Sequence, residues 1–168
     1  MKHHIHTLQD TLAFQLQGLL YAEQELKPEL EACSSEITSD KIKAAIAIYI
    51  ENADYKRSRL ERIFDYLMQE PEARKNKPLK KLLEETKELL DFTDSPHLRD
   101  ILMVSCLQNI NAYIVSSIKI AYMFTLELEL DTASDLLQQM LEWELETGKA
   151  LSRLAIEEFN KGHALASP

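Results

Sequence analysis

Apolar residues recur along this chain at spacings of three and four, the period of one helix face, and no segment alternates as a strand would. The first stripe is Leu12, Leu16, Leu19, position 23, Leu26 and Leu30. The second is Ile46, Ile50, positions 53/54 and 57, Leu60, Phe64 and Leu67, and the last is Ala133, Leu137, Met140, position 144, Leu151 and Leu154. Start and stop signals divide the pattern into five helices. The first runs from Leu8 to about Cys33 behind a Thr7 cap, with a kink or break expected near Pro28. The second starts at a Ser39 or Asp40 cap and reaches Gln69. A short third opens at Pro78 and ends near Asp91, and the fourth runs from the Thr93–Pro96 turn to Leu130. The fifth begins at Asp131–Thr132 and ends around Asn160 to Gly162.

Four long helices joined mostly by short turns pack as antiparallel neighbours, so the expected fold is all-α, an antiparallel four-helix bundle with a short extra helix between the second and third long ones. The organisation expected is a flexible segment 1–7, a bundle over 8–161 and a flexible tail over 162–168.

The fourth helix stands apart. Between Ile101 and Leu126 its only charge is Lys119, which raises the possibility of a membrane span. Ser105, Gln108, Asn109, Asn111, Ser116 and Ser117 run through its middle and no basic flank marks one side. A helix buried on two faces is the simpler reading, and it predicts either the short helix or a second subunit, giving a homodimer, on the outer face.

Composition then narrows the function classes. Three glycines and five prolines in 168 residues leave few turns, hence few and long elements. A net charge of −9 has the wrong sign for displacing counterions from phosphates, so no nucleic-acid partner is expected. The basic run Arg74, Lys75, Lys77, Lys80 and Lys81 is diluted by Glu72, Glu84 and Glu85 and reads as a solvated loop and helix start. Cys33 and Cys106 lack metal or redox spacing and read as small core residues of a reducing compartment. With no apolar signal region at the N-terminus, the expected location is cytoplasmic. No phosphate-binding glycine loop and no nucleophile–histidine pair is present, so neither nucleotide nor covalent chemistry is expected.

Charge interrupts some of the apolar stripes. Glu23 falls on the first and Glu144 on the last, while Asp54 and Arg57 lie along the edge of the second. A buried carboxylate needs a cation, a metal or a hydrogen-bonding network. Di-metal bundles meet that need with a Glu from each of two helices and a Glu-x-x-His pair from each of the other two.

Several stretches carry a resemblance. They are Leu-Tyr-Ala-Glu-Gln-Glu-Leu (20–26), Arg-Leu-Glu-Arg-Ile-Phe (59–64), His-Leu-Arg-Asp-Ile-Leu (97–102), Leu-Gln-Asn-Ile-Asn-Ala-Tyr (107–113) and the run 133–144 ending Leu-Glu-Trp-Glu. In order and spacing the chain resembles the YciF-type ferritin-like proteins, a bacterial stress-associated group without an assigned activity, over about Leu8 to Ala155. The resemblance implies a ferritin-like bundle, usually dimeric, with carboxylate and histidine ligands between the long helices.

Transferred by position, that ligand set is broken. Glu23 and Glu144 match carboxylates, Asp54 stands for a glutamate, and Arg57 falls in a histidine place where a guanidinium cannot ligate. Asn111 and Ile114 fall where the fourth helix would offer ionisable ligands. The five histidines are His3, His4, His6, His97 and His163, and none completes Glu-x-x-His. The expectation is therefore a non-catalytic bundle without a cofactor, in which Arg57 neutralises Asp54, Glu23 or Glu144. Alternatives are outward-snorkelling side chains with no network, a hard cation such as iron or manganese on Glu23, Asp54 and Glu144, and copper or nickel at His3 near a free amine.

Overall fold

A computed structural model describes residues 4–166, with side chains through Lys161. Five helices account for nearly all of it: α1 Leu8–Ser34, α2 Asp40–Tyr66, α3 Lys77–Asp91, α4 Pro96–Glu127 and α5 Asp131–Ala166. No strand occurs among the described residues. The four long helices form a closed ring in which α1 meets α2, α2 meets α5, α5 meets α4 and α4 meets α1. The turn between α1 and α2 and the turn between α4 and α5 are short, so these neighbours run antiparallel. Helix α3 lies outside the ring, against α4 and, more lightly, α1.

Local chemistry explains most of the boundaries. Thr7 Oγ1 accepts from Asp10 N–H at 3.1 Å while Asp10 Oδ2 accepts from Thr7 N–H at 2.9 Å, a reciprocal capping box. Asn76 and Ser95 cap α3 and α4 with side-chain oxygens, each followed by a proline in the first turn. Ser39 occupies the N-cap of α2 without using its own side chain for the purpose. Asp100 of α4 does so instead, accepting from Thr38 N–H (2.8 Å), Thr38 O–H (2.6 Å) and Ser39 N–H (2.9 Å).

Four expected breaks or ends change. Helix α1 continues unbroken through Pro28, because Pro28 and Gln24 both lie on its exposed face, where water can satisfy the carbonyl the ring cannot serve. Helix α2 ends at Tyr66 rather than Gln69, and α4 at Glu127 rather than Leu130. In both cases the chain turns left-handed just beyond, at Met68 (φ 53°) and Glu129 (φ 54°). Gln69 and Leu130 then donate back to the carbonyls of Phe64 and Thr125, closing each end. Helix α5 passes Gly162 and reaches Ala166, so the expected tail over 162–168 is helical as far as that residue. One glycine costs a helix only about 1 kcal/mol, too little to stop it alone.

The core is the lumen of the ring. Along α1 the buried positions Leu12, Leu16, Leu19, Glu23, Leu26, Leu30 and Cys33 alternate spacings of four and three. Along α2 the same alternation runs through Ile42, Ile46, Tyr49, Ala53, Lys56, Leu60 and Ile63. That is the seam of helices that supercoil gently about one another. Helix α4 is long and apolar enough to cross a membrane by composition, with a mean hydropathy of 1.4 over its most apolar stretch, half of it buried in the fold. Between α2 and α3 the loop is strapped to α1: Arg74 N–H donates to the Gln17 carbonyl and Asn76 Nδ2 to the Gly18 carbonyl. A Cβ at position 18 would stand 2.7 Å from the Arg74 guanidinium, which would have to swing away from the Phe14 carbonyl it serves to admit a side chain.

Candidate functional site

Midway along the lumen the apolar seam is broken on all four long helices at one level. Helix α1 contributes Glu23, α2 Tyr49 and Lys56, α4 Asn111 and α5 Glu144. Lys56 is wholly buried, and Glu23 and Glu144 are 3% and 2% exposed. The Lys56 ammonium bridges the two carboxylates: Nζ is 3.0 Å from Glu23 Oε1 and donates a hydrogen bond to Glu144 Oε1. Glu144 is the better served, since Asn111 Nδ2 donates to its Oε2 at 2.5 Å and Tyr49 O–H to the same oxygen at 3.2 Å. Asn111 also donates to the Glu144 backbone carbonyl at 2.9 Å, and Lys56 lies over the Tyr49 ring at 5.3 Å. Glu23 has only its ion contact with Lys56, and neither of its oxygens accepts a hydrogen bond among the described residues.

The electrostatics follow from that imbalance. One ammonium faces two carboxylates in a medium that penalises every charge. Burial, opposed by Lys56 and reinforced by Glu144, raises the Glu23 carboxyl from 4.5 to about 7. Burial pulls the Lys56 ammonium down, but Glu23 and Glu144 together outweigh it, and its pKa rises. Burial, with the same two carboxylates, lifts the Tyr49 phenol well above 10. Near neutral pH the cluster therefore sits between two forms that differ by one proton on Glu23.

Several expected participants lie elsewhere. Arg57 is at the surface, its Nε 3.6 Å from Glu61, one turn on along the same helix. Asp54 is half-exposed and pairs with Lys27 at 2.9 Å. Both sit beside the α2 seam rather than on it, because the seam passes through Ala53 and Lys56. Arg57 thus cannot neutralise Glu23 or Glu144, and Asp54 cannot complete a three-carboxylate site with them. Ile114 is fully buried and apolar, while Glu23, Asn111 and Glu144 lie together around Lys56. Tyr49 and Lys56 were missed. The strict four–three spacing from Ile42 to Ile63 was the signal that pointed to them. His3 lies outside the described residues; His4 and His6 stack at 5.8 Å at the surface.

The donor set does not fit a di-metal centre. Such a centre needs two i, i+3 carboxylate–imidazole pairs. Here α2 supplies Ala53 and Lys56 at that spacing, and α5 supplies Glu144 and Thr147. Asn111 turns its amide N–H toward Glu144, and the ammonium occupies the space between the two remaining carboxylates. No group of three or more His, Cys, Asp or Glu side chains suited to a metal ion occurs among the described residues.

The polar level and the five-helix topology can be set beside known proteins. The chain is 25% identical to protein YciF of Escherichia coli K12 over 163 residues, 92% of this chain and 94% of that one. The crystal structure of the E. coli stress protein YciF superposes with a TM-score of 0.89 at 23% identity, over 94% of this chain and 99% of that one. YcfI of Rhodopseudomonas palustris superposes with a TM-score of 0.88 at 21% identity, over 90% and 97%. A family described as a domain of unknown function, DUF892, matches residues 7–164. That match spans nearly the whole chain, and the protein belongs to the DUF892 family.

Proposed function

We propose that this protein is a metal-free, non-catalytic bundle of the ferritin-like class. In this reading it is cytoplasmic, acts through its surface as a homodimer, and is associated with stress, its E. coli relative being named a stress protein. The observation that carries the reading is Lys56: its ammonium supplies, between Glu23 and Glu144, the positive charge that metal ions supply in bundles with Glu-x-x-His pairs. A lysine so placed offers no open coordination position, and its ammonium fills the space between the two carboxylates. Helix α4 is in this reading a core helix, flanked by α1, α3 and α5. Its outer apolar residues past Lys119, Met123 and Leu126, are the proposed dimer contact.

Oxygen uptake in the presence of ferrous iron tests the non-catalytic reading. The expected rate equals that of buffer with iron. A faster rate that Glu144→Gln abolishes would overturn it in favour of an iron or manganese oxidase.

A further inference from the structure

Beside the polar level, α4 and α5 part to leave a groove of about 1000 Å³, open along its length. Ala112, Val115, Leu145 and Gly148 give it an apolar lining. Its rim carries Lys119, Lys149 and Arg153, and no aspartate or glutamate lines it. That is unexpected on a chain with 28 acidic against 19 basic residues. Lys149 is held by Glu146 at 2.6 Å, whereas Lys119 and Arg153 make no salt bridge among the described residues, Arg153 acting on Glu146 only at longer range. Three cations along one groove that no carboxylate lines favour an anionic group there.

A second observation concerns Asn111. Its side chain is 6% exposed, and its Nδ2 is committed to Glu144. Its Oδ1 leans over Gly148, 2.6 Å from where a Cβ would stand, and accepts no hydrogen bond among the described residues. The groove therefore presents an unpartnered acceptor in its floor and cations on its rim. A matching ligand brings N–H donors and carboxylates together. The groove is also long. Gln108 faces Ser152 through a 3.3 Å hydrogen bond, so Lys119 and Arg153 are separated by roughly 18 Å along the antiparallel pair. Small molecules are bound by sites that enclose most of their surface, which an open trough of this length does not do.

We infer that the α4–α5 groove is a docking site for an acidic polypeptide segment, with backbone N–H donated to Asn111 Oδ1 and carboxylates set against Lys119 and Arg153. This inference does not depend on whether the core cluster is free of metal. Fluorescence anisotropy of a dye-labelled peptide of about 12 residues, alternating Glu and Leu, would be measured with the full chain at low salt. Saturable binding is expected, weakened roughly tenfold or more by K119E/R153E, less by K119Q/R153Q, and by added salt. Circular dichroism melts would establish that the variants fold, as both side chains are exposed. Binding unchanged by either double variant, or no saturation up to millimolar protein, would overturn the inference. Equal competition by citrate would assign the groove to small anions instead. A change in molecular mass in the charge-reversed variant would assign it to a second copy of the chain.

Discussion

Lys56 holds two carboxylates that would otherwise repel each other inside the bundle, and the energetics of buried ion pairs set what its loss should do. Lys56→Met leaves Glu23 and Glu144 uncompensated and is expected to cost about 3–5 kcal/mol at pH 7 in urea unfolding. Replacing the group together, as E23L/Y49F/K56M/E144L, should recover most of that loss, because an apolar core needs no counter-charge and no buried hydroxyl is left without an acceptor. Glu23 adds a pH dependence whose sign is fixed by its raised pKa. The folded state holds the Glu23 proton up to about pH 7, the unfolded chain only to 4.5. Its contribution to stability is full below pH 4.5 and fades as pH rises through about 7. Glu23→Gln should therefore flatten the stability profile between pH 5 and 7 and gain on the natural protein at pH 8. A decline that Glu23→Gln leaves unchanged would assign the proton to another group. The cluster was only half legible in the sequence. Glu23 and Glu144 stood out because a carboxylate on an apolar stripe is anomalous. Lys56 did not, because two successive steps of four from Ile46 carried the α2 reading to positions 50 and 54, and so to Arg57. The steps of four and three that keep a supercoiled helix in register lead from Ile46 through Tyr49 and Ala53 to Lys56.

At the scale of elements, helix existence was plain from periodicity, whereas helix ends depended on contacts remote in sequence. The start of α2 shows this best. Ser39 looks like a self-sufficient cap, yet its hydroxyl donates to Glu158 of α5 while Asp100 of α4 serves the backbone. Asp100 is 3% exposed and ties together the α1–α2 turn and the first turns of α2 and α4. Asp100→Ala should cost about 1–3 kcal/mol, since it removes three hydrogen bonds to one buried carboxylate at once. Amide exchange at Thr38, Ser39 and the first turn of α2 should accelerate while α3 keeps its protection. Exchange that rises uniformly would mean the carboxylate acts on global stability alone. The ends of α2 and α4 were illegible for a different reason: Met68 and Glu129 adopt a left-handed turn that sequence assigns to glycine.

For the whole molecule, four seams of equal period close a ring, and a fifth helix covers part of the outside. The apolar character of α4 follows from this arrangement, since α1 and α5 take one side of it and α3 part of the other. What remains uncovered toward its C-terminal end includes Met123, 64% exposed, and Leu126, 52% exposed. Static light scattering at micromolar concentration should give twice the 19.4 kDa chain mass, falling to the monomer in M123E/L126E. A monomeric mass for the natural protein would remove the dimer. In this reading an ammonium, not a metal, neutralises the core. Elemental analysis tests it most directly, on protein as purified and after anaerobic incubation with ferrous iron or manganese(II) followed by desalting. Neither sample is expected to hold stoichiometric iron or manganese. Stoichiometric metal that disappears in Glu23→Gln and Glu144→Gln would contradict it.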